Sequence, residues 1–297
     1  MVDPRPNPSN QVRLITIPVS HYCEKTRWAL TRAKISFVEE RHMPPFHRFA
    51  TRQFAQRTSS DSQPETERNM SPLNQFVIRY VGGQTVPVLI TATDTFRSSD
   101  EILNYIDAIS PTELKLYPLD PEDRRQVDEL VELFDTILAP AVRLWAYSYI
   151  MMEANLLKPL WCQGVPWFER WLFPIVFHWM RTTAFQMHQI NDDSIVAAHT
   201  EIDRIFEMVS NLLADGRLYL VGDRFSAADL AFATLAAAVV ISPGYGVKLP
   251  ELSQLPDLMA TSIQQLQETL AGQFVLRLYR EYIDEINQII QPKLNQG

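Results

Sequence analysis

Residues 14–30 read LITIPVSHYCEKTRWAL, and the fold turns on how this stretch is parsed. Residues 14–19 form an apolar run with two isoleucines and a threonine, and with Pro18 near its end they predict a short strand. From His21 onward the spacing predicts a helix, with Trp28, Ala29 and Leu30 on an inner face and Glu24, Lys25 and Arg27 on an outer one. Strand, tight turn and helix meet at Ser20. Its hydroxyl and the Cys23 thiol, three positions on, fall beside the first unpaired N–H groups of the helix, a place that stabilises anions. A sulfur brought there from a bound thiol ionises more readily, and Cys23 itself is open to the same shift.

Working outward, residues 35–39 predict a second strand, parallel to the first through a right-handed crossover, which makes a βαβ unit. Residues 42–57 are basic and aromatic, and residues 58–72 are polar and rich in turn formers. VPVLIT at 86–91 predicts a strand, 93–96 its hairpin partner, and Ser98 and Ser99 precede a helix marked by Ile102, Leu103, Ile106 and Ile109. Pro87 belongs at the start of its strand, with a cis peptide after Val86 that turns the backbone of Val86 toward the Ser20 corner. SPTELKLYPLDP at 110–121 has three prolines and reads as a linker. Everything after it reads as helix, with a kink at Pro140, an aromatic and Met-rich stretch over 151–189, and further helices over 195–213, 226–241, 258–270 and 274–290. The expected organisation is an arm at 1–11, an α/β unit at 12–110 enlarged at about 44–80, a linker at 111–120 and an all-helical unit at 121–297.

Composition narrows the function. The chain has 297 residues, 46% of them apolar, enough for a large core divided between two domains. Net charge is −8 and no Lys/Arg run stands out, which argues against a nucleic-acid surface. Two cysteines, Cys23 and Cys162, do not make a disulfide framework, and MVDPRPNPSN does not read as a secretory signal, so a reducing cytoplasm is the expected location. The uncharged stretch 230–247 is broken by Pro243, Gly244 and Gly246, which favours a buried core helix over a membrane span. His21, His42 and His47 match no metal-ligand spacing, so no metal is expected.

Four motifs in order carry a resemblance: SHYCEKTRWAL at 20–30, TVPVL at 85–89, SSDEIL at 98–103 and VGDRFSAADLAFA at 221–233. With them the chain resembles the cytosolic glutathione transferases of the Ser/Cys type. The implied architecture is a thioredoxin-like α/β domain (βαβ-ββα, mixed sheet) followed by an all-α helical domain. The resemblance implies that Ser20 faces the sulfur of glutathione, while Cys23 matches the second cysteine of the Cys-x-x-Cys of redox-active relatives and is read either as packing or as a participant. It also implies that Val86, held by Pro87, pairs with the cysteinyl part, and that Ser99, with Ser98 before it, takes the γ-glutamyl carboxylate. Ser98 stands where many members have an acidic residue. The candidates for the glycyl carboxylate are His42, His47 and Arg48, and those for an apolar pocket are Tyr147, Met151, Trp167 and Trp171. Ser226 and Asp229 read as a capping box without chemistry. The expected activity is activation of the glutathione thiol, as co-substrate, for attack on an apolar electrophile, in a homodimer. The alternatives are a binding protein for an apolar or tetrapyrrole-like ligand and a Cys23-dependent glutathione thiol reductase or lyase.

Overall fold

Strand β1 (Val12–Thr16) stops short of Pro18, which has no N–H to give a ladder, and the chain turns on a Ser20 N–H donated to the Ile17 carbonyl at 3.1 Å. A computed structural model describes residues 11–54, 86–187 and 190–294; the N-terminal arm and most of the enlarged segment lie outside them. Helix α1 (His21–Arg32) follows, then β2 (Phe37–Arg41), parallel to β1 with Val12 opposite Phe37. β2 starts two residues later than residues 35–39 led one to expect. The reason is the end of α1: Lys34 is left-handed at φ 56°, and the Ile35 N–H is spent on the Leu30 carbonyl at 3.0 Å.

A short helix α2 (His47–Thr51) leads into a 3-10 turn (Arg52–Phe54). Strands β3 (Val88–Ile90) and β4 (Thr95–Phe96) run antiparallel and complete a mixed four-stranded sheet of order β2-β1-β3-β4. The Val86–Pro87 peptide bond is cis, and so is Pro44–Pro45. Helix α3 (Ser99–Ile109) buries Ile102, Leu103 and Ile106 and packs against α1.

The helical half opens with α4 (Pro121–Leu133), capped by the Asp120 carboxylate. Where a proline kink was expected, the helix widens one turn early into a π stretch (Phe134–Leu138), then continues as α5 (Ala139–Ile150) with Pro140 in its first turn. The Ala139 N–H bonds to the Phe134 carbonyl five residues back, which absorbs the step that Pro140 imposes. Helices α6 (Ala154–Cys162), α7 (Trp167–Met187), α8 (Asp192–Leu213), α9 (Ala227–Val240), α10 (Asp257–Glu268) and α11 (Leu270–Leu294) follow. All but one residue of α9 are buried, so the stretch that tempted a membrane reading is the core of the bundle. Its capping box is built as expected, with the Asp229 carboxylate accepting from the Ser226 and Leu220 N–H groups. No described helix is long and apolar enough to cross a membrane.

One expectation is overturned throughout α1. Glu24, Lys25 and Arg27 face no solvent: they are 1%, 0% and 5% exposed. The helix is wedged between the sheet and the helical half, and Trp28 stacks on Tyr282 at 4.4 Å between ring centroids. Its polar side therefore meets partners instead of water. The Lys25 ammonium donates to both carboxylate oxygens of Asp135, in the π stretch, at 2.7 Å, with Asp100 at 3.6 Å. The Glu24 carboxylate accepts from Arg27 and from the Gly246 N–H, and Arg27 reaches on to Glu39 at 2.7 Å.

Breaking a buried pair by removing one partner is expensive, whereas replacing both with apolar groups is often nearly neutral. Asp135→Asn should cost about 3 kcal/mol, read from the urea midpoint, because it strips Lys25 of its close partner. The double variant Lys25→Met, Asp135→Leu should recover most of that loss. An unchanged midpoint for Asp135→Asn would show that the pair does not hold the two halves together.

Candidate functional site

The Ser20 corner follows from local geometry. β1 ends, the chain turns over Pro18, and Ser20 takes extended backbone at φ −68°, ψ 123° as the N-cap of α1. Its Oγ accepts the Cys23 N–H at 3.4 Å, and a hydroxyl that accepts still has its own proton to donate. Ser20, His21 and Tyr22 all sit on the wall of a cavity of about 580 Å³ between the sheet domain and the helices. That volume falls within the roughly 300–1,000 Å³ range of small-molecule sites.

On the sheet side the wall is completed by Ile17, Val19, the cis prolyl pair Pro44–Pro45, His47, Arg48 and Val86. On the helical side α5 presents Val142, Arg143, Tyr147 and Ile150, while Trp161, Trp179, Met180 and Met259 add apolar surface. Two histidines on this wall stay neutral at pH 7. Burial, then Arg48 and His42, pushes His47 down to about 3, and burial, then Arg143 and Lys25, holds His21 well below the usual range. The buried Nδ1 of His47 has no hydrogen-bond partner among the described residues.

Of the residues expected from the sequence, Ser20, Val86, His47, Arg48, Tyr147 and Met151 come together on this cavity. The others are placed differently. Cys23 is fully buried outside the lining, and burial pushes its thiol up to about 11, so the helix N-terminus does not activate it. His42 is turned away: its Nδ1 lies 2.6 Å from Glu169, whose other oxygen accepts the Met43 N–H at 2.8 Å and ties the end of β2 to α7. Pro87, Ser98 and Ser99 do not line the cavity. Ser98, not Ser99, is the N-cap of α3, accepting the Glu101 N–H at 3.1 Å, and Ser99 is the buried first residue of that helix. Trp167 and Trp171 are each 73% exposed on the outer side of α7, and the indoles that do line the cavity are Trp161 and Trp179.

Arg143 was not anticipated. The signal for it was present, since it is the single charged residue between Asp135 and Glu153 in an otherwise apolar helical stretch. Whether such a residue faces solvent or a cleft depends on how α5 is rotated, which one helix does not decide.

Two expectations follow. Cys23 and Cys162 are both buried with raised thiol pKa values, so a disulfide reagent such as dithionitrobenzoate should leave both untouched in the native protein and titrate both after unfolding. Rapid native reaction at Cys23 would contradict the burial seen here. For the histidines, an unfolded ring titrates near about 6.5, so below that pH the unfolded chain binds protons that the folded chain refuses. The stability gained from neutral rings is complete above about pH 6.5 and is lost as pH falls toward about 3. Melting temperature should therefore drop between about pH 7 and about pH 5, and His47→Gln should remove roughly 1.4 kcal/mol per pH unit of that slope. An unaltered slope would mean that His47 is protonated in the folded state.

Residues 172–262 match the family model for the glutathione S-transferase C-terminal domain. Among solved structures the chain is similar to a glutathione S-transferase from Rhodospirillum rubrum F11, at 18% identity and a TM-score of 0.46, covering 90% of this chain and 92% of that one. It is also similar to the theta class glutathione S-transferase of Xanthomonas axonopodis pv. citri with glutathione bound, at 17% identity and a TM-score of 0.48, covering 90% and 97%. A third is a beta-etherase from Sphingobium sp. strain SYK-6, at 15% identity and a TM-score of 0.48, covering 90% and 99%. No curated protein matches the chain. The match to the glutathione S-transferase C-terminal domain thus lies in the helical half of the chain, which follows a mixed four-stranded sheet.

Proposed function

We propose that this protein is a glutathione transferase in which Ser20 activates the thiol of glutathione for attack on an electrophile held in the interdomain cavity. The observation that carries the reading is the place of Ser20, at once the N-cap of α1 and part of the wall of a cavity whose helical side is largely apolar. In this reading the cysteinyl backbone of glutathione pairs with Val86 on the same wall, above Pro87. The γ-glutamyl carboxylate reaches the first turn of α3 at Ser98 and Ser99, where unpaired amides and the helix dipole favour an anion. The glycyl carboxylate falls to His47 or Arg48, because His42 is engaged by Glu169.

The chemistry is nucleophilic activation. A free thiol with a pKa near about 8.5 is mostly protonated at neutral pH, and a hydrogen bond to the thiolate from the Ser20 hydroxyl, beside the positive end of α1, lowers that pKa. The proton leaves for solvent, the sulfur lone pair forms a C–S bond, and the leaving group or conjugated π bond of the electrophile takes the displaced electron pair. Tyr147 and Met151 belong to the side that holds the electrophile.

A homodimer comes with the same family resemblance, and a cytoplasmic location with the low cysteine content. The carrier reading draws support from the apolar lining, whereas a Cys23-centred reductase or lyase loses support from the burial of that thiol.

Ser20→Ala should lower kcat with an aryl halide by about 10- to 100-fold, the loss of one charge-assisted hydrogen bond, while calorimetry with reduced glutathione shows little change in affinity. Glutathione binding with unchanged turnover would remove Ser20 from the chemistry. No binding at all would favour the carrier.

A further inference from the structure

Helix α7 carries an apolar stripe on its outer side, away from the cavity. Trp167, Trp171 and Ile175 recur at four-residue spacing, which stacks them on one face, and Ile175 is 69% exposed, nearly as far as the two indoles. Phe168 stands at the edge of the stripe. Its ring meets Phe46 edge-on at 6.1 Å, so the apolar surface runs on to α2, where Phe49 is also exposed. The opposite side of α7 faces the protein, with Phe173 buried and Glu169 held by His42 and the Met43 N–H. Single apolar residues on a surface are ordinary, but a contiguous group of large ones marks a place where another surface sits.

The charges around the stripe are of one sign. At about 100° per residue, Arg170 and Arg181 fall on the flank of the stripe opposite Phe168. Residues 42–54 and 154–187, which hold α2, α6 and α7, contain a single carboxylate, the buried Glu169, whereas Arg52, Lys158 and Arg170 are exposed. In a chain of net charge −8 this face is cationic. Tryptophans edged by arginines suit a helix lying in the headgroup region of a bilayer: the indole has an apolar body for the acyl chains and an N–H for the wet side, and the guanidinium meets lipid phosphate. A second copy suits the face less, since a face-to-face pair sets its cations against their own kind. We infer that the outer face of α7, continued by Phe49 of α2, is a peripheral membrane site that rests the protein on an anionic lipid surface. The helix lies on that surface and does not span it. The site is separate from the cavity and stands whether or not glutathione is activated there.

The test is flotation of the full chain with vesicles of phosphatidylcholine alone and of phosphatidylcholine mixed with phosphatidylserine. The proteins are wild type and three paired variants: Trp167→Ala with Trp171→Ala, Trp167→Phe with Trp171→Phe, and Arg170→Gln with Arg181→Gln. Wild type should float with the mixed vesicles, lose that binding as salt rises, and show tryptophan fluorescence quenched by brominated acyl chains. The alanine pair should lower partitioning by about 10-fold or more and abolish the quenching, whereas the phenylalanine pair keeps most of the partitioning. The glutamine pair should lose the preference for the mixed vesicles. Both indoles are exposed, so the alanine pair should melt with wild type, which separates a lost site from a lost fold. Wild type that stays off both kinds of vesicle, or an alanine pair that binds them as wild type does, would overturn the inference. Wild-type dimers that the alanine pair converts to monomers would overturn it too, because a second copy would then cover the stripe.

Discussion

The structure depends on a clasp of buried charge between the first helix and the loop after α9. Both backbone groups of Gly246 are held by it, the N–H by Glu24 at 3.0 Å and the carbonyl by Arg41 at 3.0 Å. Arg27 sits at the centre, bonded to Glu24, Glu39 and the Pro18 carbonyl. A methyl group on Gly246 would stand 2.5 Å from Glu24 and 2.6 Å from Arg27, so no larger residue fits without opening the network. Tyr245 next to it donates to the Val19 carbonyl at 2.9 Å, in the turn just ahead of Ser20. Ion pairs of this kind are weak arguments for net stability, but each member must find its partner, which fixes where one domain sits on the other.

That fixed placement creates the site. Ser20 would be an ordinary cap if the helical half were absent. With α1 clamped by the Gly246 loop on one side and by the Lys25–Asp135 pair on the other, its N-terminus opens onto α5 across a cavity instead of onto water. The π stretch takes part directly, since Asp135 offers its carboxylate to Lys25 and its carbonyl to the Tyr22 hydroxyl at 3.0 Å. Widened helical turns recur at functional positions, and here the widening coincides with the step that Pro140 imposes on the chain.

The electrostatics of the cavity are set by what is buried around it. Histidines kept neutral by desolvation contribute lone pairs and shape, whereas the arginines retain charge under any ordinary condition. The sequence holds more acid than base, so a wall whose charged residues are all cationic is a local arrangement against the global balance. This also separates the two cysteines from the chemistry. Cys23 is sequence-adjacent to the site, yet it is buried in packed protein, where desolvation outweighs what Arg27, Ser20 and the Ile17 backbone would give a thiolate.

Much of this was legible in the chain alone. The strand–turn–helix at 12–32, the proline after Val86, the capped third helix and the Ser226–Asp229 box are local features, governed by hydrogen-bond geometry within a few residues, and local features are written in local sequence. What could not be read was which face each helix turns to a neighbour far along the chain. Glu24, Lys25 and Arg27 look like a solvent face because charges usually are one, and only partners met in the folded chain, Asp135 for Lys25, Gly246 for Glu24 and Glu39 for Arg27, make their burial tolerable. In the same way Trp167 and Trp171 looked like pocket residues while nothing singled out Arg143, and the rotations of α7 and α5 put the two indoles outside and Arg143 on the cavity wall. Sequence by itself determined the elements, their order and the anion-favouring corner at Ser20, because these follow from short-range sterics and hydrogen bonding. Tertiary structure alone decided which charges are buried and what lines the cavity, because burial is a property of two surfaces meeting.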